Sequence, residues 1–192
     1  TWAASNCPMM WNKGMIYWNG VGQSNFMWYL RTHQNIKNLF KILHKTDHLA
    51  TSYDGFSLFL SSTQKPSMWL HTDQNPKMDV YSVQGAYNFL PVGEDDAGFM
   101  VVSGSHKTFK PEEPDYRQFI QVPDEDEHYE RAVKLLIPDN CFILWNSRTI
   151  HANIGMTKRA TIELNRLTTY ISMFPKSLQS EEIYGARLAG YR

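Results

Sequence analysis

The chain changes its hydrophobic period after Gly55, and that change most limits what it can fold into. Before it, Ile36, Leu39, Phe40 and Leu43 stand at i, i+3, i+4 and i+7, the stripe of an amphipathic helix over 35–44. Beyond it, Phe56, Leu58 and Leu60 alternate with Ser57, Phe59 and Ser61, the period of a strand. Strand-like runs follow at about 67–73, 80–90, 98–102, 133–137, 141–145 and 160–172. Turn clusters separate them, among them Gly93-Glu94-Asp95-Asp96-Ala97-Gly98, Ser103-Gly104-Ser105 and Pro138-Asp139-Asn140. Many short strands between turn signals predict a mainly β fold, a sandwich or jelly roll.

The rest of the chain arranges itself around that core. Residues 1–54 form an aromatic-rich and helical N-terminal region, 55–175 the β core and 176–192 a C-terminal helix, all in one domain of 192 residues. Residues 1–22, with Trp2, Trp11 and Trp18, read as a surface strand or loop. Ser24, just before Phe26-Met27-Trp28-Tyr29-Leu30, is a helix cap. The acidic, proline-containing segment 111–131 reads as an insertion between strands, a candidate lid.

Lys plus Arg and Asp plus Glu number 19 each, so net charge gives no reason to expect nucleic-acid binding. Cys7 and Cys141 do not make a disulfide framework, and Cys141 lies in an apolar run typical of a buried thiol. No signal peptide and no apolar run of about 18 residues is visible. The expectation is a soluble, cytoplasmic protein without membrane contact.

Two residues apart on a strand, His71 and Asp73 point to one face and can reach one metal ion. A distant second histidine would complete a 2-His-1-carboxylate set, which holds Fe(II) on one side and leaves coordination positions open. His151 is the candidate, reached through a polar turn from the apolar run Phe142-Ile143-Leu144-Trp145. His33, His44, His48, His106 and His128 read as surface, capping or structural residues. O2 activation at such a site needs a two-electron reductant, commonly 2-oxoglutarate. Its far carboxylate calls for a cation, and the planar fork of arginine suits it. Arg166 heads an alternating run that sets Arg166, Thr168 and Tyr170 on one face; Arg159 is the alternative, in a segment that reads as an exposed turn.

Six ordered segments carry a resemblance. They are His71-Thr72-Asp73-Gln74, Val83-Gln84-Gly85, Glu94-Asp95-Asp96-Ala97-Gly98-Phe99, Val101-Val102-Ser103-Gly104-Ser105-His106, Trp145-Asn146-Ser147-Arg148-Thr149-Ile150-His151 and Arg166-Leu167-Thr168-Thr169-Tyr170-Ile171. In order and spacing they resemble the phytanoyl-CoA dioxygenase family of Fe(II)- and 2-oxoglutarate-dependent oxygenases. The resemblance covers about residues 50–175 and implies a double-stranded β-helix, the cupin-like jelly roll, flanked by N-terminal helices. It implies His71, Asp73 and His151 as iron ligands, Arg166 as the anchor of 2-oxoglutarate, and Asn153 and Gln84 as further cosubstrate contacts. The fifteen-residue gap between His151 and Arg166 is longer than is usual in that family, and Asn153 replaces a more usual Ser or Thr.

The implied activity is hydroxylation of a C–H bond, using Fe(II), 2-oxoglutarate and O2 with ascorbate as reductant in vitro, and releasing succinate and CO2. The carboxylate of Asp73 points to hydroxylation rather than halogenation. The implied substrate is a small molecule or a side chain, with oligomeric state left open. The alternatives are a catalytically silent jelly-roll binding or structural protein, and a metal-dependent isomerase or hydrolase on a cupin-like barrel.

Overall fold

Ser24 begins the first helix as expected: its Oγ accepts from the Met27 amide at 3.3 Å, opening α1 (Asn25–Thr32). His33 separates it from α2 (Gln34–His44), which ends at Lys45 in the left-handed region (φ 53°). These coordinates, a computed structural model, describe residues 14–17, 20–60, 68–77, 80–112, 119–160 and 164–191. Cys7, Trp2, Trp11 and Trp18 lie outside the described residues.

Among the described residues twelve strands follow the chain as β1 (Met15–Ile16), β2 (Leu49–Thr51), β3 (Phe56–Leu60), β4 (His71–Thr72), β5 (Val83–Asn88), β6 (Gly98–Val101), β7 (Ile120–Gln121), β8 (Val133–Leu135), β9 (Cys141–Asn146), β10 (His151–Ile154), β11 (Leu164–Tyr170) and β12 (Met173–Pro175). They form two five-stranded antiparallel sheets and one two-stranded pair. The first sheet runs β1-β3-β11-β5-β9, the second β7-β4-β10-β6-β8, and β12 pairs with β2. The order within each sheet joins strands distant in sequence, which is the jelly-roll arrangement the alternating pattern predicts. A short helix α3 (Ser105–Thr108) follows β6, and α4 (Glu181–Tyr191) closes the chain.

The period of two sorts side chains into layers. Ala86 and Trp145 of the first sheet meet Phe99 of the second, together with Val92 and Ile137, in the core between the sheets. Their strand neighbours face outward: Leu70, Met100 and Ala152 join Val102, Ile120, Val122 and Ile150 in a separate cluster behind the second sheet. The helices cover the first sheet, where Leu30, Ile36 and Phe40 pack with Tyr87, Phe142, Ile171 and Met173. Fully buried Phe40 is the centre of that contact, and its loss to alanine would cost about 3–5 kcal/mol. Gly85 permits the close approach, since a Cβ there would lie 2.4 Å from the Phe142 ring and 2.8 Å from the Ile171 carbonyl oxygen.

The segment 111–131 is less of an insertion than its composition suggests. Ile120 and Gln121 form β7 beside β4, with Gln121 opposite His71, and Ile120 and Val122 are fully buried. Two alternating apolar residues inside an acidic stretch are enough to dock it on the sheet. Residues 113–118 lie outside the described residues, so the lid expectation concerns them only as sequence. No helix among the described residues is long and apolar enough to cross a membrane.

Candidate metal centre

β4 and β10 are antiparallel neighbours, and their register sets His71 directly opposite His151. The two rings lie 4.4 Å apart on the inner face of the second sheet. Asp73 follows β4 on that face. Its amide and that of Gln74 both donate to the Ser147 carbonyl at 3.1 Å, which ties the Asp73 turn to the loop leading into β10. The polar turn at 146–149 therefore anchors the carboxylate as well as delivering the second histidine.

Ring orientation is set by the backbone. His71 Nδ1 lies 3.1 Å from the Trp69 carbonyl and His151 Nδ1 lies 2.9 Å from the Thr149 carbonyl. A ring nitrogen facing a carbonyl carries the proton, which leaves both Nε2 atoms as lone-pair donors. Those atoms turn to Asp73: His71 Nε2 is 3.6 Å from Oδ1 and His151 Nε2 is 3.2 Å from Oδ2. One ligand atom from each of the three residues lies within 4.8 Å of the other two. Aromatic rings brace the imidazoles, with Trp69 stacked on His71 at 4.2 Å, Phe119 at 5.0 Å, and Phe99 and Trp145 each 5.4 Å from His151.

The electrostatics suit a cation. Burial pushes the Asp73 carboxyl up; imidazolium forms of His151 and His71, with the Gln84 amide, pull it down further, and a cation held by neutral imidazoles would take the place of those ring protons. The carboxyl is held well below the usual carboxylate range and stays ionised. Gln84, on β5 of the opposite sheet, donates to Asp73 Oδ2 at 2.8 Å. The histidine side chains are 6% exposed and that of Asp73 is 31%, so the donor set is open on one side. Two neutral imidazoles and a carboxylate on one side form the donor set that suits Fe(II) with positions to spare.

Arg166 is the second constellation. It enters from β11, after a register shift between Leu164 and Arg166 that sets it opposite Phe59. Only 1% exposed, it crosses between the sheets. One terminal nitrogen donates to the Gly98 carbonyl at 2.9 Å and to Asn153 Oδ1 at 2.8 Å, and Nε donates to Thr168 Oγ at 3.1 Å. Asn153 Oδ1 also accepts from the Tyr170 hydroxyl at 3.1 Å. Burial lowers the Arg166 pKa, and Tyr170 offsets part of that. No carboxylate pairs with Arg166 among the described residues, although buried charges are normally paired. Arg159 lies exposed in the 157–159 turn, away from this constellation.

The structure brings His71, Asp73 and His151 together, joins Gln84 to Asp73 and joins Asn153 to Arg166. The residue patterns did not reveal the wall of a neighbouring cavity. A cavity of about 280 Å³ is lined by Gln84, Trp145, Tyr170, Tyr53, Asp54 and Phe56 among others. Among its lining residues, Gln84 Oε1 and Trp145 Nε1 are buried without a hydrogen-bond partner in the protein. Trp145 and Tyr170 stood in quoted motifs, but nothing in their spacing marked them as cavity wall. Asp54 carried no signal at all.

No protein-family model matches the chain. It is 30% identical over 204 residues to Ava biosynthesis cluster protein O of Aspergillus versicolor, a match that covers 95% of this chain and 64% of that protein. The chain thus spans slightly under two thirds of the curated relative's length. Among solved structures it resembles the epimerase SnoN in complex with Fe3+, alpha ketoglutarate and nogalamycin RO, with TM-score 0.56 and 17% identity over 79% of this chain and 59% of that one. It also resembles EvdO2 from Micromonospora carbonacea var. aurantiaca complexed with 2-oxoglutarate, with TM-score 0.54, 13% identity and coverages of 78% and 62%. A non-heme monooxygenase, the ThoJ–Ni complex, matches with TM-score 0.52, 12% identity and coverages of 81% and 56%. SnoN is a non-heme alpha ketoglutarate dependent epimerase, and this chain shares the fold of these neighbours, the cupin-like double-stranded β-helix.

Proposed function

We propose that this chain is the catalytic region of an Fe(II)- and 2-oxoglutarate-dependent oxygenase of the phytanoyl-CoA dioxygenase kind. Its substrate is a small molecule, and the reaction is hydroxylation of a C–H bond. The observation that carries the reading is the convergence of His71, Asp73 and His151, with both Nδ1 atoms turned to main-chain carbonyls and both Nε2 atoms turned toward Asp73. A silent jelly-roll protein would have no use for two fixed tautomers facing an ionised carboxylate.

In this reading His71, Asp73 and His151 hold the iron. Gln84 orients Asp73 through its 2.8 Å hydrogen bond. Arg166 receives the far carboxylate of 2-oxoglutarate, which gives a buried guanidinium its missing counter-charge. Asn153 and Tyr170 hold the arginine's fork and the adjacent wall in place. Trp69, Phe119, Phe99 and Trp145 surround the histidines and keep bulk water from their rings. When bound, Fe(II) with 2-oxoglutarate and O2 supplies the oxidising power, and succinate and CO2 are the coproducts. The relative's name places that protein in a biosynthesis cluster, and SnoN binds nogalamycin RO. Both favour a small-molecule substrate over a nucleic acid or protein.

The test is succinate formation from 2-oxoglutarate with Fe(II), ascorbate and O2, together with the visible charge-transfer absorption of the Fe(II)–2-oxoglutarate complex under anaerobic conditions. Absorption and succinate are expected. Absence of both in folded, Fe(II)-supplied protein would overturn the reading.

A further inference from the structure

The cavity beside the metal centre has an uneven chemistry. Tyr17, Tyr53, Phe56, Trp145 and Tyr170 supply aromatic surface, and Asp54 supplies one carboxylate. No lysine, arginine or histidine lines it among the described residues. The cavity adjoins the candidate site, since Gln84 in its wall donates to Asp73 and Trp145 lies 5.4 Å from the His151 ring.

Asp54 makes no ion pair among the described residues. The one cation that acts on it is Arg31, already engaged with the main-chain carbonyls of Gly22 and Asp54 and lying over Trp28 at 5.3 Å and Tyr53 at 6.0 Å. Burial pushes the Asp54 carboxyl up; a Ser52 hydrogen bond and Arg31 offset part of this, and repulsion from Asp73 adds to it. The residue itself is exposed, so the carboxylate faces the cavity from its solvent-accessible side. One carboxylate and no basic side chain among the described lining residues give the cavity a negative aromatic wall. A cation between aromatic faces gains from their quadrupoles, most strongly where water is excluded. A neutral molecule would leave Asp54 as it is, and an anion would worsen the repulsion.

We propose that this cavity is a substrate subsite for a protonated basic nitrogen, which sits against Asp54 among the aromatic rings and presents a neighbouring C–H bond toward the metal centre past Gln84. The inference deepens the oxygenase reading and rests on it for the reaction. The charge preference itself needs only the cavity.

The experiment compares choline with its neutral isostere 3,3-dimethylbutan-1-ol, titrated by ligand-observed NMR into the protein with and without Ni(II) and 2-oxoglutarate. Wild-type protein should bind choline roughly tenfold more tightly than the alcohol, the size expected of a partly desolvated cation–aromatic contact beside a carboxylate. Asp54→Asn should bring the two within about twofold of each other by removing the charge, and Asp54→Glu should retain most of the preference. Equal binding of both probes by the wild type would overturn the inference without recourse to any variant. So would a preference that survives in Asp54→Asn. The Fe(II)–2-oxoglutarate absorption separates the two readings. Its presence without choline preference sinks the subsite alone, and its absence with choline preference intact sinks the oxygenase assignment alone.

Discussion

His71-Thr72-Asp73 and Asp126-Glu127-His128 place a histidine and an aspartate at the same two-residue spacing, and both histidines are buried, at 4% each. The second pair is the closer one: His128 Nδ1 lies 2.5 Å from Asp126 Oδ1, against 3.6 Å between His71 and Asp73. Yet among the described residues only the first belongs to a cluster able to hold a metal. The difference is spare donor capacity. Asp126 caps a 3-10 turn, so one carboxylate oxygen already accepts from both the amide and the ring of His128. The other ring nitrogen meets the Thr108 hydroxyl at 3.2 Å. At β4 and the turn just after it the same spacing sets His71 and Asp73 toward one point, each held from behind, and β10 brings a third ligand there. Closeness alone makes a capping interaction; convergence of three ligand atoms makes a candidate metal site.

The largest effect should come from the carboxylate on each side of this comparison. Asp73→Ala should lower succinate formation by at least about a hundredfold and abolish Ni(II) binding measured by calorimetry, since it removes a ligand and not merely its support. Asp126→Ala should leave both unchanged. If Asp126→Ala abolished turnover and Asp73→Ala did not, the two pairs would have been assigned the wrong way round.

Next is the cosubstrate. Arg166→Lys should raise the apparent KM for 2-oxoglutarate about tenfold or more, because an ammonium cannot reproduce a planar fork. Arg159→Lys, at an exposed turn, should leave KM alone. Reversed behaviour would move the anchor to Arg159. A step smaller, Gln84→Leu should weaken Ni(II) affinity about tenfold, the lower end for loss of a ligand's hydrogen-bond support, with the fold intact by circular dichroism. Unchanged affinity would show that Asp73 needs no support from the opposite sheet.

The smallest effect concerns stability at the second pair. Asp126→Ala should cost about 1 kcal/mol in urea unfolding at neutral pH, a typical loss for a cap. Burial pushes the Asp126 carboxyl up, but the His128 amide and imidazole pull it below its ordinary value. A depressed carboxyl stabilises the fold above its unfolded pKa, and that stabilisation fades as pH falls through the folded one. The difference between wild type and Asp126→Ala should therefore shrink below about pH 4. A difference that grew on acidification would contradict the sign of the shift.

Much of this was written in local patterns. The strand-like runs after Gly55 marked β3, β4, β5, β6, β8, β9 and β11, because strand patterning is a local consequence of burying one face. The Ile36–Leu43 stripe marked α2, and Ser24 marked its neighbour's start, since caps and stripes act within a turn or two. The strands β2, β7, β10 and β12, of two to four residues, lie outside those runs and are too short to show a period. They exist because a partner strand lies beside them.

By itself, then, the sequence determined the strand-rich core, the pairing of His71 with Asp73 on one face, and the common face of Arg166, Thr168 and Tyr170, all of which follow from spacing along one strand. Only the tertiary structure decided the rest. The β4–β10 register set His151 opposite His71. The approach of the two sheets joined Arg166 to Asn153 and Gln84 to Asp73. Asp54, just before β3, came to line a cavity with Trp145 of β9. These relations join residues tens of positions apart, so no local spacing records them. They are fixed by which strands hydrogen-bond and how the sheets face, and that is settled by burial of the whole core rather than by any one segment.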